Sequence, residues 1–167
     1  YTDDTFVGTE RFFRPGYNRH LVSEWIPALR DAKEKLEKSA SVADVGCGHG
    51  HSTLLMAQAF PNSRFHGFDA HTGSIDEARR HAARAGVGQR VNYAPARAVD
   101  FPSHGYGLIC FFDTLHDLGD PVAAVRHAAE VLAPGGTVML VEPFANDRVE
   151  DNLSPVGQLY YAGSTLI

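Results

Sequence analysis

Cysteine is scarce: the 167 residues hold two, Cys47 and Cys110, at no metal-ligand spacing. That excludes a disulfide framework and a cysteine-based zinc module, and it makes a reducing cytoplasm the default compartment. Basic residues are outnumbered, 15 Lys and Arg against 20 Asp and Glu, for a formal net charge of -5. Affinity drawn from nucleic-acid phosphates needs a basic face, so no nucleic-acid partner is expected. Lys33, Lys35 and Lys38 interleave with Glu34 and Glu37 in the manner of a solvated helix face. No apolar run reaches the roughly 18 residues of a membrane span, so no membrane partner is expected either. An initial Met is lacking, and "YTDDTFVGTERFF" has neither the charged start nor the apolar centre of a signal peptide.

The length fits one domain, and the composition, 44% hydrophobic and 21% charged, is that of an ordinary folded chain. Along it, strand-like and helix-like runs alternate. "NRHLVSEWIPALRDAKEKL" has Leu21, Val22, Trp25, Ile26, Leu29 and Leu36 at helical spacing and reads as a helix kinked or restarted near Pro27. "SVADVG" then reads as a buried strand, "HSTLLMAQAFP" as a helix stopped by Pro61, "RFHGFDA" as a strand, and "GSIDEARRHAARAGV" as a helix ending at Gly86. "QRVNYAPA" and "YGLICFFDTL" are two further strands; "DPVAAVRHAAEVLAPGG" is a helix capped by Asp120 with Pro121 at its first position, and "TVMLVEP" is the fifth strand. Such alternation predicts an α/β fold, a doubly wound Rossmann-like parallel sheet of five strands with helices on both faces.

Ligands of these sheets bind beyond the C-terminal ends of the strands, so the loop "DVGCGHG" lies at the predicted site. Gly46, Gly48 and Gly50 permit positive φ and close backbone approach, and the helix start at His51 offers free N–H groups. A dinucleotide loop, G-x-G-x-x-G, would need glycine where His51 stands. That disfavours a nicotinamide-dependent oxidoreductase. Asp44, beside the loop, suits an ammonium group better than a pyrophosphate, and the expected ligand is a nucleoside with a cationic amino-acid tail.

These residues resemble the class I S-adenosylmethionine-dependent methyltransferases. "DVGCGHG" resembles their first motif and "FHGFDA" their second, 25 residues separating Asp44 from Asp69; "LHDLGDPVAAVRHAAEVLAPGGTVMLVEP" is similar to the stretch across their fourth and fifth strands. A finer likeness is to bacterial small-molecule methyltransferases that carry a winged-helix domain before the catalytic one. The resemblance implies S-adenosyl-L-methionine as cofactor, S-adenosyl-L-homocysteine as product, and in-line methyl transfer to a small-molecule acceptor. Cofactor contacts are expected from Asp44, Gly46, Cys47, Gly48, Gly50, Asp69, Ala70, Ala98, Phe112 and Asp113, with Asp69 on the ribose hydroxyls. Adenine would be met by backbone near Ala98 or by Asp100. A regulatory module that keeps the cofactor site without catalysis is the other alternative.

His116, after the fourth strand, is the candidate general base, with orientation of cofactor or loop as its other reading; Asp113 and Asp117 flank it. Glu142 either faces the acceptor or satisfies a helix terminus. Cys47, His49 and His51 are not expected to bind metal, because a tight glycine loop sends alternate side chains different ways. Residues 1–40 are read as a helical cap or lid, whose rings Phe6, Phe12, Phe13 and Tyr17 pack on the sheet or face a sulfonium. Residues 41–145 are the cofactor-binding core and 146–167 an acceptor-side segment with Tyr160 and Tyr161. The family sheet has seven strands. The 24 residues after Pro143 carry no hairpin pattern, so the fifth strand is expected as an edge of a truncated fold, with a homodimer possible for a longer protein.

Overall fold

The computed structural model describes residues 3–164. Helix α1 (Asp3–Gly16) continues into a wider π-type stretch (Tyr17–Trp25), in which the N–H of Ile26 reaches back to Leu21 O, and then into the short α2 (Ile26–Ala28). Pro27 has no N–H and its ring crowds the preceding turn, a conflict that the wider spacing accommodates. The chain breaks at Leu29, which is extended, and at Asp31, whose φ is 58°, before α3 (Ala32–Lys38). The restart expected near Pro27 is therefore displaced by one turn.

Five strands follow: β1 (Ser41–Val45), β2 (Arg64–Asp69), β3 (Val91–Pro95), β4 (Tyr106–Phe112) and β5 (Leu132–Val141). Helices α4 (His51–Ala59), α5 (Thr72–Arg84) and α6 (Pro121–Val131) connect them, and α7 (Pro155–Ser164) ends the described chain. All strand pairs are parallel and the order is β3-β2-β1-β4-β5. The direction of winding thus reverses between β1 and β4, which is where a doubly wound sheet opens its crevice.

β1 is central and both its faces are covered. Val42, with Phe65, Leu108 and Cys110, packs under α4, α5 and the N-terminal segments; Ala43 and Val45, with Phe68, Ile109 and Phe111, pack under α6. At about 25 cal/mol per Å² of apolar surface removed from water, such near-continuous apolar strands hold the sheet by burial rather than by polar pairing. Asp120 caps α6 as expected, its carboxylate accepting from the N–H of Ala123 at 2.8 Å. β5 begins earlier than expected, at Leu132 rather than Thr137: the partner of Tyr106 is Leu132 and that of Leu108 is Thr137, so Ala133–Gly136 bulges out between them. Gly135 makes that bulge possible with φ 73°, and Lys35 Nζ anchors it, 2.6 Å from Gly135 O. β5 and β3 are the two edges.

Candidate functional site

The loop after β1 is held by backbone bonds. The N–H groups of Gly46 and Cys47 both donate to Phe68 O, at 2.7 and 3.0 Å, and the N–H of Gly50 donates to Cys47 O at 2.8 Å. Gly46, Gly48 and Gly50 have φ of 75°, 51° and 77°. A Cβ on Gly46 would enter the Thr114 side chain and one on Gly50 the Tyr93 ring, whereas at Gly48 it would meet only open space. Two of the glycines therefore serve close packing, and the third bares its backbone to the crevice.

Asp44 sits behind the loop, 1% exposed. Its Oδ2 accepts from Ser52 Oγ and Thr53 Oγ1, both at 2.6 Å, tying β1 to the first turn of α4. Its Oδ1 is buried and has no partner. Burial pushes the Asp44 carboxyl up to about 6, against the pull of the two hydroxyls. Asp69, at the end of β2, accepts from the N–H of Gly48 and from the N–H of His71, each at 2.8 Å. The two acids thus fix the loop from behind and from the side.

Over this loop lies α1. Phe6, Thr9, Glu10 and Phe13 from α1, with Tyr17, face Gly46, Cys47, Gly48, His49, His51 and Ser52 across a small cleft that is open to solvent, and Phe112 and Asp113 at the end of β4 close one side. Phe6 stacks on His71 at 4.2 Å and nearly parallel. Glu10 Oε2 pairs with His49 Nδ1 at 2.9 Å, and Asn18 Oδ1 with His51 Nε2 at 2.8 Å. Burial lowers the His51 pKa and raises that of the Cys47 thiol. The Tyr17 O–H donates to Asp113 Oδ2 at 2.7 Å; burial and the neighbouring carboxylate raise the phenol strongly, so it stays a donor. Asp113 itself is pushed up to about 6, by burial first and by Glu142 after it.

Of the residues singled out in the sequence, Gly46, Cys47, Gly48, Phe112 and Asp113 line the cleft; Asp44, Gly50 and Asp69 stand directly behind it in the loop framework. Ala70 and Ala98 do not line it, and Ala98 packs instead with the cluster under α6. The Asp100 carboxylate is engaged by the exposed Arg97, with Nε at 3.0 Å, and is likewise outside. His116 lies beyond the cleft, 38% exposed, its Nδ1 2.5 Å from Glu142 Oε2 and its Nε2 3.4 Å from Asp117. The other oxygen of Glu142 accepts from the N–H groups of Thr114 and Leu115, at 3.2 and 2.8 Å. Glu142, rather than Asp113, is thus the close partner of His116. Tyr160 and Tyr161 do not line the cleft. The Tyr17–Asp113 and Glu142–His116 pairs join residues 96 and 26 positions apart. No local spacing announces either of them.

A switch-point crevice floored by a left-handed glycine loop, with an acid at the end of the next strand, defines a doubly wound α/β domain of Rossmann-like type. The particular family follows from residues 42–136, which match the model of the methyltransferase domain, so this chain belongs to that family. It is 32% identical over 103 residues to the trans-aconitate 2-methyltransferase of Streptomyces coelicolor, covering 61% of this chain and 34% of that one. It is 31% identical over 99 residues to the 27-O-demethylrifamycin SV methyltransferase of Amycolatopsis mediterranei, covering 58% and 40%. In fold it is similar to the S-adenosylmethionine-dependent methyltransferase SibL, with a TM-score of 0.68 and 24% identity over 95% of this chain and 42% of that one. The chain spans about a third to a half of the length of the curated relatives it matches.

Proposed function

We propose that this domain binds S-adenosyl-L-methionine in the cleft between the glycine loop and α1 and supports transfer of its methyl group to a small-molecule acceptor. The observation that carries the reading is Gly48: φ 51°, open space on its Cβ side, and an N–H already tied to the Asp69 carboxylate. The residues present fit the cofactor. Asp44 Oδ1 is a buried acceptor without a donor, as an ammonium group directly or through a bridging water would require, and Asp69 keeps lone pairs on both oxygens beside the loop backbone.

When bound, the cofactor supplies a methyl group already activated on a sulfonium, so the chain's task is alignment and exclusion of water. Gly46, Cys47 and Gly48 present backbone to the ligand, Asp69 grips the ribose hydroxyls, and Phe6, Phe13 and Tyr17 roof the cleft. Aromatic faces there attract a cationic sulfur as well as shedding water. His116, in the turn after β4 and fixed by Glu142 from the end of β5, stands at the rim rather than inside the cleft.

Calorimetric titration tests this reading. S-adenosyl-L-homocysteine is expected to bind at one site and NAD to give no saturable heat. Binding of NAD in preference would replace the reading with that of an oxidoreductase.

A further inference from the structure

The cleft has two unlike walls. One is the glycine loop. The other is a run of rings, Phe13 to Tyr17 at 6.2 Å and Tyr17 to Phe112 at 5.6 Å, that ends on the carboxylate of Asp113. Asp113 has a left-handed backbone, φ 50°, where the chain leaves β4, and its N–H is held by Val141 O at 2.8 Å. Such a conformation is uncommon for a residue with a side chain, and it collects at functional positions. Tyr17 occupies Oδ2 of Asp113, while Oδ1 takes no hydrogen bond from a described residue.

The lining of the cleft carries the acids Glu10 and Asp113 and, among the described residues, no fixed cation, neither lysine nor arginine. His49 is engaged by Glu10 and His51 by Asn18, and Arg14, half-exposed, leans toward Glu10 at 3.8 Å. A polycarboxylate, of the kind for which the Streptomyces relative is named, would meet the Asp113 carboxylate and no lysine or arginine of the lining. A flat, uncharged molecule with a hydroxyl would meet rings and one open acceptor oxygen.

Building on the cofactor reading above, we propose that the Tyr17–Phe112–Asp113 wall receives the acceptor as an uncharged aromatic hydroxyl compound. Its O–H donates to Asp113 Oδ1, and Tyr17 is the positioning residue that fixes the carboxylate. A hydrogen bond to an ionised acceptor in a half-buried site discriminates by about tenfold or more against the same molecule without the donor. The carboxylate must be ionised to accept. Besides Tyr17, the groups that set its charge are Glu142 from the end of β5, which opposes ionisation, and His116 from the turn after β4, which favours it.

The test uses the protein saturated with S-adenosyl-L-homocysteine and three probes: p-cresol, its methyl ether 4-methylanisole, and tricarballylate. At pH 7.5 p-cresol is expected to bind saturably and at least tenfold more tightly than the ether, and tricarballylate not to bind. The preference for p-cresol should fall as pH drops through about 6, and in Asp113→Asn, whose amide oxygen accepts but does not titrate, it should be weaker and independent of pH. Tyr17→Phe removes a bond that stabilises the carboxylate, so it should move the midpoint upward, a shift that a purely structural tyrosine would not cause. Failure of p-cresol to bind, equal binding of cresol and ether, a pH dependence of the preference that survives in Asp113→Asn, or saturable binding of tricarballylate in preference to cresol each overturns the proposal. Failure of the unmodified protein to take up S-adenosyl-L-homocysteine overturns the cofactor reading instead.

Discussion

The two ends of the cleft are built differently. At the glycine loop the backbone conformation is fixed mainly by main-chain bonds to Phe68 O, by the Asp69 carboxylate and by the hydroxyls of Ser52 and Thr53 on Asp44, with the distant side chains of Tyr93, Thr114 and Glu10 added at its edges. At the β4–β5 end the contacts join side chains far apart in sequence, Tyr17 with Asp113 and His116 with Glu142. The first end is rigid because its geometry is written in φ angles that only glycine adopts cheaply. The second is adjustable in that side-chain pairs rather than glycine backbone conformations set its geometry. A cofactor common to many proteins suits the former, and an acceptor that differs among them suits the latter.

The largest effect should come from breaking the rigid end. Gly48→Val places a β-branched residue at φ 51° beside the ligand, and S-adenosyl-L-homocysteine binding is expected to be lost while the far-ultraviolet circular dichroism is retained. A normal binding isotherm from this variant would remove the loop from the site. Next is Asp69→Ala, which deletes the acceptor of the Gly48 and His71 N–H groups as well as the proposed ribose contacts. At about 1.5–3 kcal/mol for a hydrogen bond to a charged group, affinity for S-adenosyl-L-homocysteine should fall at least tenfold. An unchanged dissociation constant would show that Asp69 serves the loop alone.

Asp44 sharpens the comparison through pH. Its pKa is raised from the ordinary 3.8 to about 6 in the folded protein, so the fold binds this proton more tightly than the unfolded chain does. The associated stability is complete below pH 4 and is lost as pH rises through about 6. Asp44→Asn should therefore stabilise the free protein at pH 7.5 by about 1–3 kcal/mol and flatten this part of the profile, while weakening S-adenosyl-L-homocysteine. Thermal melts between pH 4 and 7.5 would read it, and a lower melting temperature for the variant at pH 7.5 would contradict the assignment. The smallest effect is expected at the adjustable end. Glu142→Gln removes the charge shared by His116, Thr114 and Leu115 at a half-exposed site, and a loss of about 1 kcal/mol in denaturant unfolding is expected. A loss several times larger would mean that this end, too, is part of the framework.

The same contrast explains what could be read from the sequence. The five strands, the capping of α6 by Asp120 and the glycine loop follow from local spacing, and apart from the start of β5 each is where that spacing places it. The β5 start was not legible, because the Ala133–Gly136 bulge is set by pairing with β4 and by Lys35, a hundred residues away. The role of Asp44 was legible in part. Its place beside the loop follows from the motif, but its burial under Ser52 and Thr53 depends on how α4 packs. Ala98 and Asp100 were drawn toward the site by their position after β3, yet the turn there folds onto the α6 face and Arg97 claims the acid. For His116, chain order offers the flanking Asp113 and Asp117; Asp117 does approach its Nε2 at 3.4 Å, while the sheet brings Glu142 from the neighbouring strand to its Nδ1.

The central claim, that the glycine-loop end holds the cofactor, is tested most directly by amide chemical-shift mapping on addition of S-adenosyl-L-homocysteine. The amides of Gly46, Gly48, Asp69 and His71 are expected to shift most. Those of His66 and His104, stacked at 4.5 Å outside the cleft, should stay in place. Saturable shifts that spare Gly46 to Gly50 and Asp69 would contradict it.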